Sequence, residues 1–108
     1  MAERKRITNF QKRVYALTKK VPRGKVTTYS AIANKLKSSP RAVGQALRVN
    51  PFAPIVPCHR VIKSDGSIGG FSGKTTGKPI QKKIAMLRKE GVIIKDNKIE
   101  KINIIDKS

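Results

Sequence analysis

Pro40 and Pro51 bracket a stretch that reads as one short helix with fixed ends. Ser39 can accept a hydrogen bond from the free N–H groups of a first turn, and Pro40 suits the first helical position, where its missing N–H costs nothing. Pro51 disfavours helical backbone in the residue before it, so the helix ends near Asn50. At about 100° per residue, Val43, Ala46, Leu47 and Asn50 share one face, and Arg41, Gly44, Gln45 and Arg48 share the other. One face is apolar. The other offers two guanidiniums beside a gap with no side chain.

Upstream, Tyr29, Ile32, Ala33 and Leu36 mark one face of a second short helix, with Thr28 or Ser30 as its cap. Only residues 37–39 separate the two, which reads as a helix-turn-helix whose second helix is the usual nucleic-acid reader. An ordinary helical hairpin shares this pattern; the basic outer face favours DNA. Further back, Phe10, Val14 and Leu17 predict an amphipathic helix over 9–19, stopped by Pro22 and Gly24, with a short β-branched stretch at 25–28.

Charge points the same way. The 108 residues carry 25 Lys+Arg against 6 Asp+Glu, a formal net charge of +19. Basic residues run from Arg4 to Lys101 without a homopolymeric block, which suits a folded basic face better than a disordered arm. Such a charge speeds encounter with polyanions and says nothing about fold. A lysine-rich solvated surface in a heat-adapted organism would carry it too. The length fits a single domain, 1–108, and regularly spaced Ile, Val and Leu give it a modest core. No apolar run approaches the roughly 20 residues that span a bilayer, and MAERKRITNF lacks a signal-peptide core. The expectation is a cytoplasmic or nucleoid-associated protein, not secreted, with no membrane partner. A single Cys excludes an internal disulfide and a multi-thiolate zinc site.

Beyond Asn50, NPFAPIVP is Pro-rich, extended and rigid, and it delivers Cys58. Residues 60–62 and 67–69 flank Ser64-Asp65-Gly66, the pattern of a hairpin turn. GGFSGKTTGK is a Gly-rich loop without the strand-loop-helix setting of a phosphate cradle. Ile80, Ile84 and Leu87 mark a last helix that ends at Gly91, a natural left-handed cap. Residues 92–105 alternate loosely between Ile or Val and polar residues, as a hairpin or an extended tail. The fold class expected is mainly α with a short β-hairpin, built on a winged-helix-like helix-turn-helix.

Chemistry centres on Pro57-Cys58-His59-Arg60-Val61. A lone Cys is most often a small buried apolar residue. Here prolines fix its backbone, and His59 and Arg60 follow it, groups that favour a thiolate. A cysteine-protease arrangement would want a distant His with Asn or Asp, and this chain has one His. A metal site would need more ligands than one Cys and one His supply.

GKVTTYSAIA, SPRAVGQALRVNP, IVPCHRVI, GGFSG and the stretch 87–91 together resemble the C-terminal, DNA-binding domain of the 6-O-alkylguanine-DNA alkyltransferases, the methylated-DNA–protein-cysteine methyltransferases. The resemblance covers about residues 9–92. It implies single-turnover repair, in which Cys58 takes the alkyl group from a guanine flipped out of double-stranded DNA, with no cofactor or metal. It implies that His59 accepts the thiol proton through a water, paired with Glu90, and that Asn50 orders the turn leading to Cys58. Tyr29 matches a Tyr whose hydroxyl can protonate the departing guanine.

Arg41 resembles the family's arginine finger, which fills the stack where the nucleotide has left. Flipping is required because the alkylated oxygen is shielded inside the duplex. Ala42 and Gly44 would let the helix approach DNA closely, with Gln45 and Arg48 on the same interface. The helix would lie in the minor groove, which suits a protein that acts at any sequence. Val56 and Cys58 backbones, Phe71 and Ser72 would form the base pocket. Phe71 stands where some relatives have Tyr, so a hydroxyl contact is missing there. The stretch 74–79 looks longer than in many relatives. Most relatives carry a further N-terminal domain; the expectation here is a single domain without it, and a monomer in solution. The Ile-rich tail, 93–108, matches no known motif and would patch surface that the further domain covers. Two other readings stay open: a binding-only alkyltransferase-like protein, whose members lack the Cys, and a helix-turn-helix regulator with an incidental Cys.

Overall fold

The computed structural model describes residues 7–52, 55–69, 77–96, 98–100 and 103–105. Three helices form the first half: α1 (Asn9–Lys19), α2 (Tyr29–Leu36) and α3 (Pro40–Arg48). Each begins with a hydroxyl cap. Thr8, Thr28 and Ser39 accept from the backbone N–H of Gln11, Ala31 and Ala42 respectively, and Gln11 closes a capping box on Thr8. Thr28, rather than Ser30, is the cap of α2. The turn to α3 passes through Lys37 at φ 54°, a left-handed residue that ends α2 sharply. Regular α3 stops at Arg48, two residues before Asn50.

Val14, Leu17, Ile32, Ala33, Val43, Ala46 and Leu47 interlock as the first core, so each helix buries the face that its spacing marks. Tyr15 completes it, its hydroxyl donating to Ala46 O at 2.7 Å. Arg41, Gln45 and Arg48 stay exposed on the other side of α3. A Cβ at Gly44 would meet no atom within 4 Å, so packing inside the molecule does not demand a glycine there.

A second core holds the other half together. Two-residue strands β1 (Thr27–Thr28) and β2 (Val61–Ile62) pair in parallel, Thr27 against Val61 and Thr28 against Ile62. Helix α4 (Lys78–Lys89) and an antiparallel pair, β3 (Ile94–Lys95) with β4 (Lys98–Ile99), enclose Val26, Ile62, Ile68, Leu87, Val92, Ile94 and Ile99. Gly91, at φ 93°, ends α4 as expected.

Two expectations change. The chain does reverse at Ser64-Asp65-Gly66, with Lys63 N donating to Ser67 O at 3.0 Å, but residues 60–62 and 67–69 do not pair as a hairpin ladder. Val61 and Ile62 are fully buried, so this strand is covered on both sides and takes a parallel neighbour from 34 residues upstream in register. Ser67 bridges to Lys98 instead. The hairpin of the fold is β3–β4. The tail also does more than patch a surface: its Ile94, Ile99 and Ile104 pack into the second core. No helix among the described residues is long and apolar enough to cross a membrane.

Candidate active site

Cys58 opens a 3-10 turn, Cys58–Arg60, that hands the chain directly to β2. The approach is tightly held. Pro57 at φ −81° and ψ 70° forms an inverse γ-turn, closed by Cys58 N donating to Val56 O at 2.8 Å. Asn50 pins the same turn from the end of α3: its Nδ2 donates to Val56 O at 3.0 Å, and its Oδ1 accepts from Phe52 N at 2.9 Å. The Val56 carbonyl thereby accepts two hydrogen bonds, which order the turn. Cys58 is half-buried against the first core.

The next two residues share one carboxylate. Glu90 caps the C-terminal end of α4, where the helix dipole disfavours negative charge. His59 Nε2 lies 3.0 Å from its Oε2, Arg60 Nε donates to Oε1 at 2.9 Å, and Arg60 Nη2 donates to Oε2 at 2.8 Å. Burial works against the carboxylate's charge, yet the hydrogen bonds from Arg60 and His59 outweigh it and hold the carboxyl below its ordinary range. An ionised carboxylate only accepts, so Nε2 carries the imidazole proton and Nδ1 is left with a free lone pair. Burial lowers the pKa of His59, and Arg60 and Lys83 add to that, against the opposing pull of Glu90. The result is a neutral imidazole of defined tautomer, one residue from the thiol.

Tyr29, the first residue of α2, belongs both to the first core and to the wall of a cleft of about 630 Å³. Burial, reinforced by negative charge at Cys58, pushes its hydroxyl up to about 12, so it remains a proton donor at neutral pH. Gly69 lies against it at φ 76°; a Cβ there would come within 3.4 Å of the ring and 3.2 Å of Lys63 Cγ. Glycine is needed at that wall for space and for backbone conformation. Arg41 and Gly44 line the same cleft from α3, facing Ser64 and Ser67. Ala42 and Gln45 line a separate groove against Phe10 and Gln11 of α1, and Arg48 is exposed near the far end of α3. The nominated interface of α3 is thus split between two depressions. Phe71 and Ser72 lie outside the described residues.

Lys83 is a site neighbour that the local sequence pattern does not single out. It is fully buried, with Nζ donating to Val61 O at 2.9 Å and Ile68 O at 2.7 Å, and burial brings its pKa down to about 8. The signal was present: Lys83 occupies the apolar stripe of α4 between Ile80 and Leu87. The bidentate union of Arg60 with Glu90 had no local signal, since 30 residues separate the partners.

A match to the family described as 6-O-methylguanine DNA methyltransferase, DNA binding domain, spans residues 9–92. The chain belongs to that family. Among relatives of this domain, a methylated-DNA–protein-cysteine methyltransferase of Thermococcus sibiricus is 56% identical over 68 residues, which are 62% of this chain and 38% of the relative. One of Methanothermobacter thermautotrophicus is 44% identical over 79% of this chain and 46% of the relative. The domain spans about half the length, or less, of these relatives. Of solved structures, O6-methylguanine-DNA methyltransferase from Pyrococcus kodakaraensis superposes with a TM-score of 0.69 at 46% identity, over 80% of this chain and 48% of that one. S. pombe Atl1, solved in complex with damaged DNA containing O6-carboxymethylguanine, gives 0.70 at 35% identity, over 84% and 83% of the two chains.

Proposed function

We propose that this chain repairs duplex DNA by taking the alkyl group of a flipped 6-O-alkylguanine onto Cys58, once per molecule. One observation carries the reading: His59, next in sequence to the chain's single Cys, has its Nε2 3.0 Å from Oε2 of Glu90. An ionised carboxylate there keeps the imidazole proton on Nε2, so that Nδ1 is the nitrogen that can act as a base. The thiol proton passes to Nδ1, through a water where the two do not touch. The sulfur then attacks the alkyl carbon in line with the carbon–oxygen bond, a thioether forms, and the bond's electrons return to the guanine. Tyr29 protonates the departing base and regains its proton from the His59 imidazolium through solvent. The thioether has no thiolate left, so the molecule is spent. The reaction as written requires neither cofactor nor metal.

Arg41 would hold the vacated place in the base stack, at the mouth of the cleft that Tyr29 and Gly69 line. Phosphates would be met by the basic surface, which suits a soluble monomer acting in the cytoplasm or on the nucleoid. A second reading, binding of the lesion without transfer, is favoured by the near full-length likeness to Atl1. Intact-mass spectrometry after incubation with a duplex oligonucleotide containing 6-O-methylguanine separates the two. The expected result is one added methyl group, mapped to Cys58 and absent in Cys58→Ala. Tight binding with no adduct selects the second reading.

A further inference from the structure

Glu90 makes more bonds than the proton relay uses. Its two oxygens accept one hydrogen bond from His59 and two from Arg60, and Arg60 Nη1 is itself anchored on Val21 O at 3.0 Å. An imidazole facing an undivided carboxylate would be drawn toward the imidazolium form, which has no lone pair to offer a thiol. Burial is the main cause that keeps the imidazole neutral, and two charge-assisted bonds to a guanidinium add to it by engaging the carboxylate that would otherwise favour the imidazolium. We infer that Arg60 is a positioning residue for alkyl transfer: by sharing Glu90, it holds His59 as a neutral base with its proton on Nε2. The inference rests on the reading of His59 as the base for Cys58.

The surroundings agree with it. The groups that act on His59 are Glu90 and Lys83 from α4 and Arg60 from its own turn. Glu90 alone favours the imidazolium; the two cations oppose it. Among the described residues, Arg60 is the cation bonded to the carboxylate, while Lys83 donates to the carbonyls of Val61 and Ile68. The bidentate geometry holds the carboxylate plane as well. Rotation of the Glu90 carboxylate would break its two bonds to Arg60 together with the one to His59.

A single His makes the test direct. In an NMR titration of the full chain, the imidazole nitrogens report both the tautomer and the protonation of His59. The unsubstituted chain should show the Nε2–H tautomer at neutral pH and titrate below the ordinary value near 6.5. Arg60→Met should move that titration up by roughly one pH unit, and the acid limb of the alkyl-transfer rate should move with it. Arg60→Lys keeps the charge without the paired donors and should fall between. A folded Arg60→Met chain whose His59 titrates unchanged overturns the inference. Should Arg60→Met not fold, Glu90→Gln replaces it: with the carboxylate gone, His59 should titrate lower than in the unsubstituted chain, and an upward or absent shift is fatal to the idea. The titration needs no alkylated DNA. A shifted His59 without methyl transfer would therefore sink the proposed function and leave Arg60 only as the residue that sets the tautomer and protonation of His59.

Discussion

Lys83 places its ammonium where no water reaches, held by the carbonyls of Val61 and Ile68. A buried cation is tolerated there because the two carbonyls take its hydrogen bonds. Its folded pKa, about 8, lies below its ordinary 10.5, so folding releases a proton between those values and stability rises with pH through that window. Tyr29 runs the opposite way: raised from 10.0 to about 12, it makes stability fall as pH passes through that higher window. Denaturant unfolding should therefore show stability climbing from about pH 8 toward 10 and turning over above it. In Lys83→Met the climb should vanish, and the loss of its hydrogen bonds to two buried carbonyls should cost roughly 2–3 kcal/mol at pH 7. A variant that kept the climb would remove Lys83 as its source. At this scale the sequence was a partial guide. PCHRV drew attention to Cys58 and His59 because reactive groups stood side by side. Lys83 and Arg60 act across the fold, and a lysine in an apolar stripe is read locally as a solvated interruption.

Helix α3 was the most legible element, since a Ser cap, a proline at N1 and an apolar face are all local instructions. The helices α1 and α2 followed the same grammar, and their ends fell where the caps and breakers stood. The pairing of β1 with β2 had no such signal, because a two-residue parallel strand is chosen by the neighbour that folding brings to it. Arg41 gains its meaning from this arrangement of elements. It stands one residue into α3 and reaches the cleft that Tyr29 of α2 and Gly69 border. A residue that assists flipping matters when the base must leave a duplex, and much less when it arrives free. Arg41→Ala should slow methyl transfer from duplex DNA at least about tenfold, ~1.4 kcal/mol, while transfer from the free 6-O-methylguanine base stays within about twofold. Comparable losses on both substrates would assign Arg41 to the pocket or to stability instead of to the stack.

The whole molecule is two cores joined through Cys58–Ile62, and the first is built mainly from the helices that the sequence pattern announces, with Val56 and Val61 added from the reactive segment. The second takes Ile94, Ile99 and Ile104 from beyond residue 92, where the family match ends. Backbone bonds lace this tail to the domain: Ile105 N donates to Val26 O and Ile99 N to Gly66 O, each at 2.8 Å. Asn103 adds a buried clasp, accepting from Ile93 N and donating to Gly24 O, both at 3.1 Å. Each buried isoleucine is worth about 1.5–3 kcal/mol of transfer free energy, so the set rivals the ~5–15 kcal/mol by which a domain is stable. Deleting residues 93–108 should lower the Tm by more than about 15 °C or abolish the cooperative transition, measured by circular dichroism. Methyl transfer should fail with it, because Ile62 and Ile68 lose the cover that fixes β2 behind Cys58–Arg60 and the Ser64–Ser67 wall of the cleft. A truncated chain that melted within a few degrees of the full one would show that α4 and β2 suffice. The strand that follows the reactive turn would then be held by β1, Lys83 and Leu87 without the tail, and the tail's contact with Gly66 would have no part in shaping the cleft.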